Sequence, residues 1–251
     1  MLSIVLGATM AYLLGSIPSG LWIGRKFFQI DIRQHGSGNL GATNSFRILG
    51  KKAGTIVLLM DLLKGSISVL LLKQMDLHGV SPLIIALFAV IGHTYPLFAN
   101  FKGGKAVATF AGIILAYKPE LFIPCLLLFV IILGISKMVS FSSMVTISIG
   151  VLASLYFQDM VLTTIALIVD IFIIYRHRSS APIGMYAGMA KTAGHSCCNI
   201  KLKLILEDKM KTNFKMKDVV TISLLTSLYM VFYMIAMAVI TPLGPFGHAI
   251  S

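Results

Sequence analysis

Apolar runs about as long as a bilayer crossing recur from one end of this chain to the other. In lipid such a run satisfies its backbone polar groups only as a helix. A full crossing needs roughly 20 apolar residues. The runs lie at 2–24, 53–73, 80–100, 105–118, 119–135, 138–157 and 160–176, with another at 219–243. The expected fold class is therefore all-α: a polytopic integral membrane protein of about seven transmembrane helices, plus an extra C-terminal apolar helix. Apolar residues make up 57% of the sequence and charged ones 12%, which excludes a soluble domain. The fourth and fifth runs are short for a crossing, so tilt or partial insertion is expected there. The first run has no basic flank before it and no small-residue cleavage pattern after it, so it reads as a retained span.

Charge sets the expected orientation. Basic residues number 21 against 9 acidic ones, and they gather in alternate loops. Arg25, Lys26, Arg33, Arg47, Lys51 and Lys52 follow the first run. Lys102 and Lys105 follow the third, Lys137 the fifth, and Arg176, Arg178, Lys191, Lys201 and Lys203 the seventh. The other loops are poor in cations. By the positive-inside rule the amino terminus is outside and every polar motif faces the cytoplasm. The basic excess thus points to a membrane and to phosphates, with no nucleic-acid partner expected. Trp22 fits an interfacial anchor. Cys125, Cys197 and Cys198 provide no disulfide framework.

Two of these loops carry more than charge. "GSGNLGATNSFR", residues 36–47, packs glycines, hydroxyls and amides before an arginine. Gly36, Gly38 and Gly41 permit positive φ and close backbone approach. Ser37, Asn39, Thr43 and Asn44 supply donors, and Arg47 a planar fork for a phosphate. Together they read as an anion cradle at a helix start. "FKGGK", residues 101–105, reads as a second cradle, its glycines exposing N–H groups beside Lys102 and Lys105. It lacks the full Walker pattern, so no nucleotide triphosphatase is implied. Three further features sit within spans or at their ends. "GSIPSG", residues 15–20, predicts a kink at Pro18. Asp61 and Lys64 stand one turn apart and suit either mutual pairing or support of a site. "YRHRSS", residues 175–180, flanks His177 with Arg176 and Arg178, which read as anchors around a base or an oxyanion donor.

These loops resemble the bacterial glycerol-3-phosphate acyltransferase family that uses acyl-phosphate as donor. The likeness rests on Ser37, Asn39, Gly41, Thr43, Asn44 and Arg47, and on Gly92, His93, Pro96, Phe101, Lys102, Gly103, Gly104, Lys105, Val107, Ala108 and Thr109. "GSIPSG" and "DLLKG" look like family signatures as well. The resemblance covers residues 1 to about 178 and implies seven spans with the site at the cytoplasmic face of the bacterial cell membrane. It implies transfer of an acyl group to the sn-1 hydroxyl of glycerol 3-phosphate, giving lysophosphatidic acid and phosphate. The third motif departs from the family pattern: Ser180 stands where an asparagine is expected, and "NIK" follows only at Asn199. The expected division is a membrane acyltransferase domain at 1–178, a divergent basic segment at 179–209 and an extra apolar helix at 210–251. From Met210 the chain faintly resembles the start of a substrate-binding subunit of a vitamin-type transporter. A fusion, a disturbed reading frame and a genuine extra span all fit that tail.

An acyl-phosphate is a mixed anhydride, already activated, so the reaction needs no covalent enzyme nucleophile. No Ser-His-Asp arrangement stands out, and no cofactor or metal is expected. Acyl-CoA-type acyltransferases carry H-x-x-x-x-D, whereas His93 is followed five residues on by Phe98. What the reaction needs is two phosphates held side by side and an acyl chain left in the bilayer. Expected roles follow. Ser37, Arg47 and Lys105 hold glycerol 3-phosphate, with His177 near its reacting hydroxyl. Lys102, Gly103, Gly104, Thr43 and Asn44 bind phosphate and support the oxyanion. Asn39, Gly41, His93, Thr109 and Asn199 complete the substrate-binding set. The competing classes are a transporter with phosphate-binding loops and an inactive fusion. A transporter places its polarity near the midplane, often in repeated halves; here it gathers at one face.

Overall fold

A computed structural model of the chain describes residues 1–177. Asn199, the segment at 179–209 and the apolar run at 219–243 lie outside the described residues. Residues 1–177 form helices, turns and loops, with no strand among the described residues. The helices are α1 (Leu2–Gly15), α2 (Ser19–Phe28), α3 (Ala42–Ile48), α4 (Gly50–Lys73), α5 (Pro82–Thr94), α6 (Val107–Tyr117), α7 (Pro119–Ser136), α8 (Val139–Ser154) and α9 (Met160–His177). Six stretches among the described residues are long and apolar enough to cross a membrane: Leu2–Phe28, Gly50–Lys73, Pro82–Ala99, Pro119–Ser136, Val139–Phe157 and Met160–His177.

The first of these is two helices. It breaks at Ser16–Pro18, where proline cannot donate a helical N–H, and resumes as α2. α2 ends in left-handed Gln29, which stops the helix and turns the chain into the following loop. The fourth expected span is shortened. α6 has 11 residues, about 16 Å of helix, and a full crossing needs nearly twice that. The loop before it therefore descends into the bundle, and Ala99, Gly104 and Ala106 are buried. The fifth expected span, α7, has 18 residues and lies at the rim, with only Leu121 buried.

Packing relies on small residues, as expected where lipid tails compete with side chains for every apolar surface. A methyl group on Gly65 would collide with the Thr109 carbonyl and one on Gly112 with the Leu62 carbonyl, so α4 and α6 touch backbone to backbone. Ser66 Oγ donates to the Gly112 carbonyl at 2.8 Å across the same seam. The main core, including Val69, Leu83, Ala86, Ile113, Leu162 and Ile173, lies among α4, α5, α6 and α9. A second cluster joins Leu21, Ile32, Leu40, Leu49, Val57 and Ala99, so the loop after α2 packs against the loop after α5.

Hydrogen bonds and packing sort the connections between spans into two ends. At one end Tyr117 donates to Asp159 at 2.8 Å and Lys73 Nζ to the Ala116 carbonyl at 2.8 Å. At the other end lie residues 29–49, residues 95–106 and the close of α9. All three stretches that the sequence marks as chemical thus share one end of the bundle.

Candidate functional site

The loop after α2 is built around two side chains. Asp31 accepts from Arg33 Nη2 at 2.6 Å and Arg25 Nη2 at 2.9 Å. Arg33 above all holds this carboxyl well below the usual carboxylate range. Asn44, 1% exposed, accepts from the Ser37 amide at 3.0 Å and donates to the Ile32 and His35 carbonyls, each at 3.1 Å. Gly36 and Gly38 take φ of +61° and +69° and let the chain wrap Asn44. Asn39 Oδ1 accepts from the Gly41 amide at 3.0 Å, just ahead of α3.

This corrects the expected cradle. Both N–H donors of Asn44 serve loop carbonyls, so Asn44 shapes the loop instead of presenting donors to a ligand. Gly41 is extended at φ −75°, not left-handed. What the loop presents outward are the exposed Ser37, Thr43 and Arg47 side chains. Thr43 and Arg47 are four apart on α3 and share a face.

The second loop is corrected in the same sense. The Gly103 amide donates to the Thr94 carbonyl at 3.1 Å and the Gly104 amide to the His93 carbonyl at 3.0 Å. These N–H groups cap α5 and are not offered to an anion. The glycines are there for space. A methyl on Gly103 would collide with the His93 carbonyl, and one on Gly104 with the His93 ring. His93, 6% exposed, is braced by Thr109 Oγ1 at 3.1 Å from its Nδ1, with Asp61 Oδ1 at 3.7 Å. Lys102 is exposed and Lys105 half-buried.

α9 delivers the third group. Arg176 Nη2 donates to the Gly104 carbonyl at 3.2 Å, and its guanidinium lies 5.7 Å from the Tyr95 ring centre. Its Nε–H is buried and has no hydrogen-bond partner among the described residues. His177, 3% exposed, sets Nδ1 at 2.8 Å from the Ile173 carbonyl. A carbonyl only accepts, so Nδ1 carries a proton, and when the ring is neutral its lone pair lies on Nε2. Sequence reasoning read Arg176 as an anchor. Its position beside His177 was the available signal, but only folding brings it onto Gly104.

Among the described residues few carboxylates stand near these cations, and Asp170 on α9 accepts from Ser148 Oγ at 3.1 and 3.2 Å. At this end Asp31 is held by two arginines, and Asp61, deeper in α4, pairs with Lys64 at 3.0 Å. Asp76, Glu120 and Asp159 belong to the far end. The arrangement suits a doubly charged anion.

Burial, then the charge of Arg176, lowers the Lys105 ammonium to about 8. A depressed lysine pKa penalises the charged form, so folding stability should rise between about pH 8 and the unfolded value near 10.4. Anion binding should run the other way, weakening as the charge is lost above pH 8. The expected kcat/KM profile for the phosphate-bearing substrate therefore falls above pH 8. Lys105→Arg should keep a flat profile over that range; a fall that persists in this variant would clear Lys105 of responsibility.

A sequence profile of the family described as glycerol-3-phosphate acyltransferase matches residues 5–198. A glycerol-3-phosphate acyltransferase of Listeria welshimeri is 51% identical over 181 residues, covering 71% of this chain and 91% of that one. One from Enterococcus faecalis is 50% identical over 189 residues, covering 71% and 87%. The fold is similar to a crystal structure of PlsY (YgiH), an integral membrane glycerol 3-phosphate acyltransferase, in its glycerol 3-phosphate form. The TM-score is 0.65 at 36% identity, covering 71% of this chain and 90% of that one. The lysophosphatidic acid form of that protein gives 0.64.

Proposed function

This chain belongs to the glycerol-3-phosphate acyltransferase family, and from that premise we propose that it moves a fatty acyl group from acyl-phosphate to the sn-1 hydroxyl of glycerol 3-phosphate. It is an integral membrane acyltransferase; the donor, the position acylated and the cytoplasmic placement of the site are our reading. The observation that carries it is the hydrogen bond from Arg176 to the Gly104 carbonyl, which joins the end of α9, with His177, to the loop that carries Lys105, at the bundle end where Ser37, Thr43 and Arg47 are exposed.

In this reading Arg47, Ser37 and Lys105 hold the phosphate of glycerol 3-phosphate. Lys102, Thr43 and the Nε–H of Arg176 hold the donor phosphate. Asn39, Gly41 and Asn44 shape the first loop, while His93, Gly103, Gly104 and Thr109 fix the second. The sn-1 oxygen attacks the acyl carbonyl, the carbonyl-to-phosphate bond breaks, and phosphate leaves. The hydroxyl proton passes to Nε2 of His177 or to a donor phosphate oxygen. Holding both substrates in line is the main device, and proximity of this kind supplies up to about 7–11 kcal/mol. The amino terminus outside and the site facing the cytoplasm follow from the cation-rich loops at the site end. Residues 1–178 would then form the catalytic unit, with Asn199 and the tail additional to it.

Purified protein in nanodiscs should convert glycerol 3-phosphate with palmitoyl-phosphate and leave palmitoyl-CoA unused. A chelator should leave the rate unchanged. Preference for the thioester, or loss of activity with EDTA, would overturn the donor and metal-free parts of this reading.

A further inference from the structure

We propose that Asp61 and Lys64 are positioning residues for this acyl transfer: their buried pair registers the two substrate loops against each other. Both lie well inside α4, 2% and 5% exposed, with Lys64 Nζ 3.0 Å from Asp61 Oδ1. Charged groups at such depth are expensive. A pair that existed only to neutralise itself would need no further contacts, and apolar residues would often fill the space at lower cost. Yet each member reaches a different part of the chain.

Asp61 Oδ1 also accepts from Ser19 Oγ at 3.0 Å, at the start of α2. Lys64 Nζ donates to the Ile17 carbonyl at 3.1 Å, inside the break between α1 and α2. Those two bonds fix where α2 begins, and α2 leads directly into the loop that presents Ser37. On the other side Asp61 Oδ1 stands 3.7 Å from Nδ1 of His93, whose ring packs on Gly104 and whose Nδ1 also meets Thr109 at 3.1 Å. His93 thereby sets the height of the loop that presents Lys105. Two hydrogen bonds thus fasten the start of α2 to α4, and the same carboxylate faces the histidine that carries the second loop. This inference rests on the acyl-transfer reading for its purpose, but not for its geometry.

The test uses the full-length protein in nanodiscs, with Cys125, Cys197 and Cys198 replaced by serine and spin labels at the exposed positions of Gln34 and Phe101. The background protein should give a narrow interlabel distance distribution. Asp61→Glu keeps the charge and the partner but moves the carboxylate by one methylene, so it cannot meet Ser19 and His93 together. It should broaden or shift the distribution and raise KM for glycerol 3-phosphate by about fivefold or more, with kcat changed less. If that variant does not fold, Ser19→Ala carries the same test, since it removes one bond and no charge. An unchanged distribution with unchanged KM would overturn the proposal and leave the pair as self-neutralising. A wild-type protein inactive toward glycerol 3-phosphate would overturn the function instead, and the distances would still decide the positioning.

Discussion

Gly103→Ala is expected to lower acyl transfer by about 100-fold, the usual size of a displacement near 1 Å at a reacting centre. The added methyl would collide with the His93 carbonyl and stand 2.5 Å from Pro96 Cδ and 2.6 Å from the Thr94 carbonyl oxygen. Two of these three are backbone atoms at the end of α5 and cannot rotate away. The loop must therefore lift, breaking the bond from the Gly103 amide to Thr94. Overpacking of this kind costs about 1–3 kcal/mol of stability, so the protein should still fold. Lys105 and the Gly104 carbonyl that anchors Arg176 would move with the loop. Gly134→Ala is the control: it lies in α7 with nothing among the described residues within 4 Å of the added methyl, and should leave the rate unchanged without lowering the melting temperature. Initial rates together with a thermal melt decide the matter. A Gly103→Ala protein as active as Gly134→Ala would refute the packing account of this loop.

Arg176→Lys should cost about 1.5–3 kcal/mol of transition-state stabilisation, the worth of a hydrogen bond to a charged group. That corresponds to a loss of roughly 10- to 150-fold in kcat/KM. The substitution keeps the charge, so simple membrane anchoring would survive it. What is lost is the planar fork, which lets one guanidinium hold the Gly104 carbonyl with Nη2 and, in the proposed role, offer Nε–H to the donor phosphate. An ammonium is a point donor and cannot span both. Stacking of the guanidinium near Tyr95 is lost as well. Kinetics for both substrates should locate the loss, and near wild-type kcat/KM would return Arg176 to the role of anchor.

The break at Pro18 was legible because proline removes a donor whatever surrounds it. The boundaries of α4, α7, α8 and α9 fall within a few residues of the apolar runs, since lipid forces every such run into helix. The shortness of α6 was half legible. Its run is brief, but only the structure shows the preceding loop entering the bundle in its place. The local roles inside the loops were the least legible. Asn44 and Gly103 match the residue types of an anion cradle, yet Asn44 braces backbone carbonyls and Gly103 makes room for His93.

The sequence by itself determined that this is a multi-span membrane protein whose polar chemistry sits at one end. Both follow from what each segment does alone against lipid and water: apolar length selects helix, and most cations gather on one side. The tertiary structure decided which polar groups face a substrate and which are consumed within the protein. It turned Asn44 inward, set Arg176 on Gly104, and joined Ser19, Asp61, Lys64 and His93 across α2, α4 and α5. A hydrogen-bonding group has the same composition whether it braces a loop or binds a ligand. The difference lies in whether another part of the chain reaches it first, and that is settled only when distant segments pack.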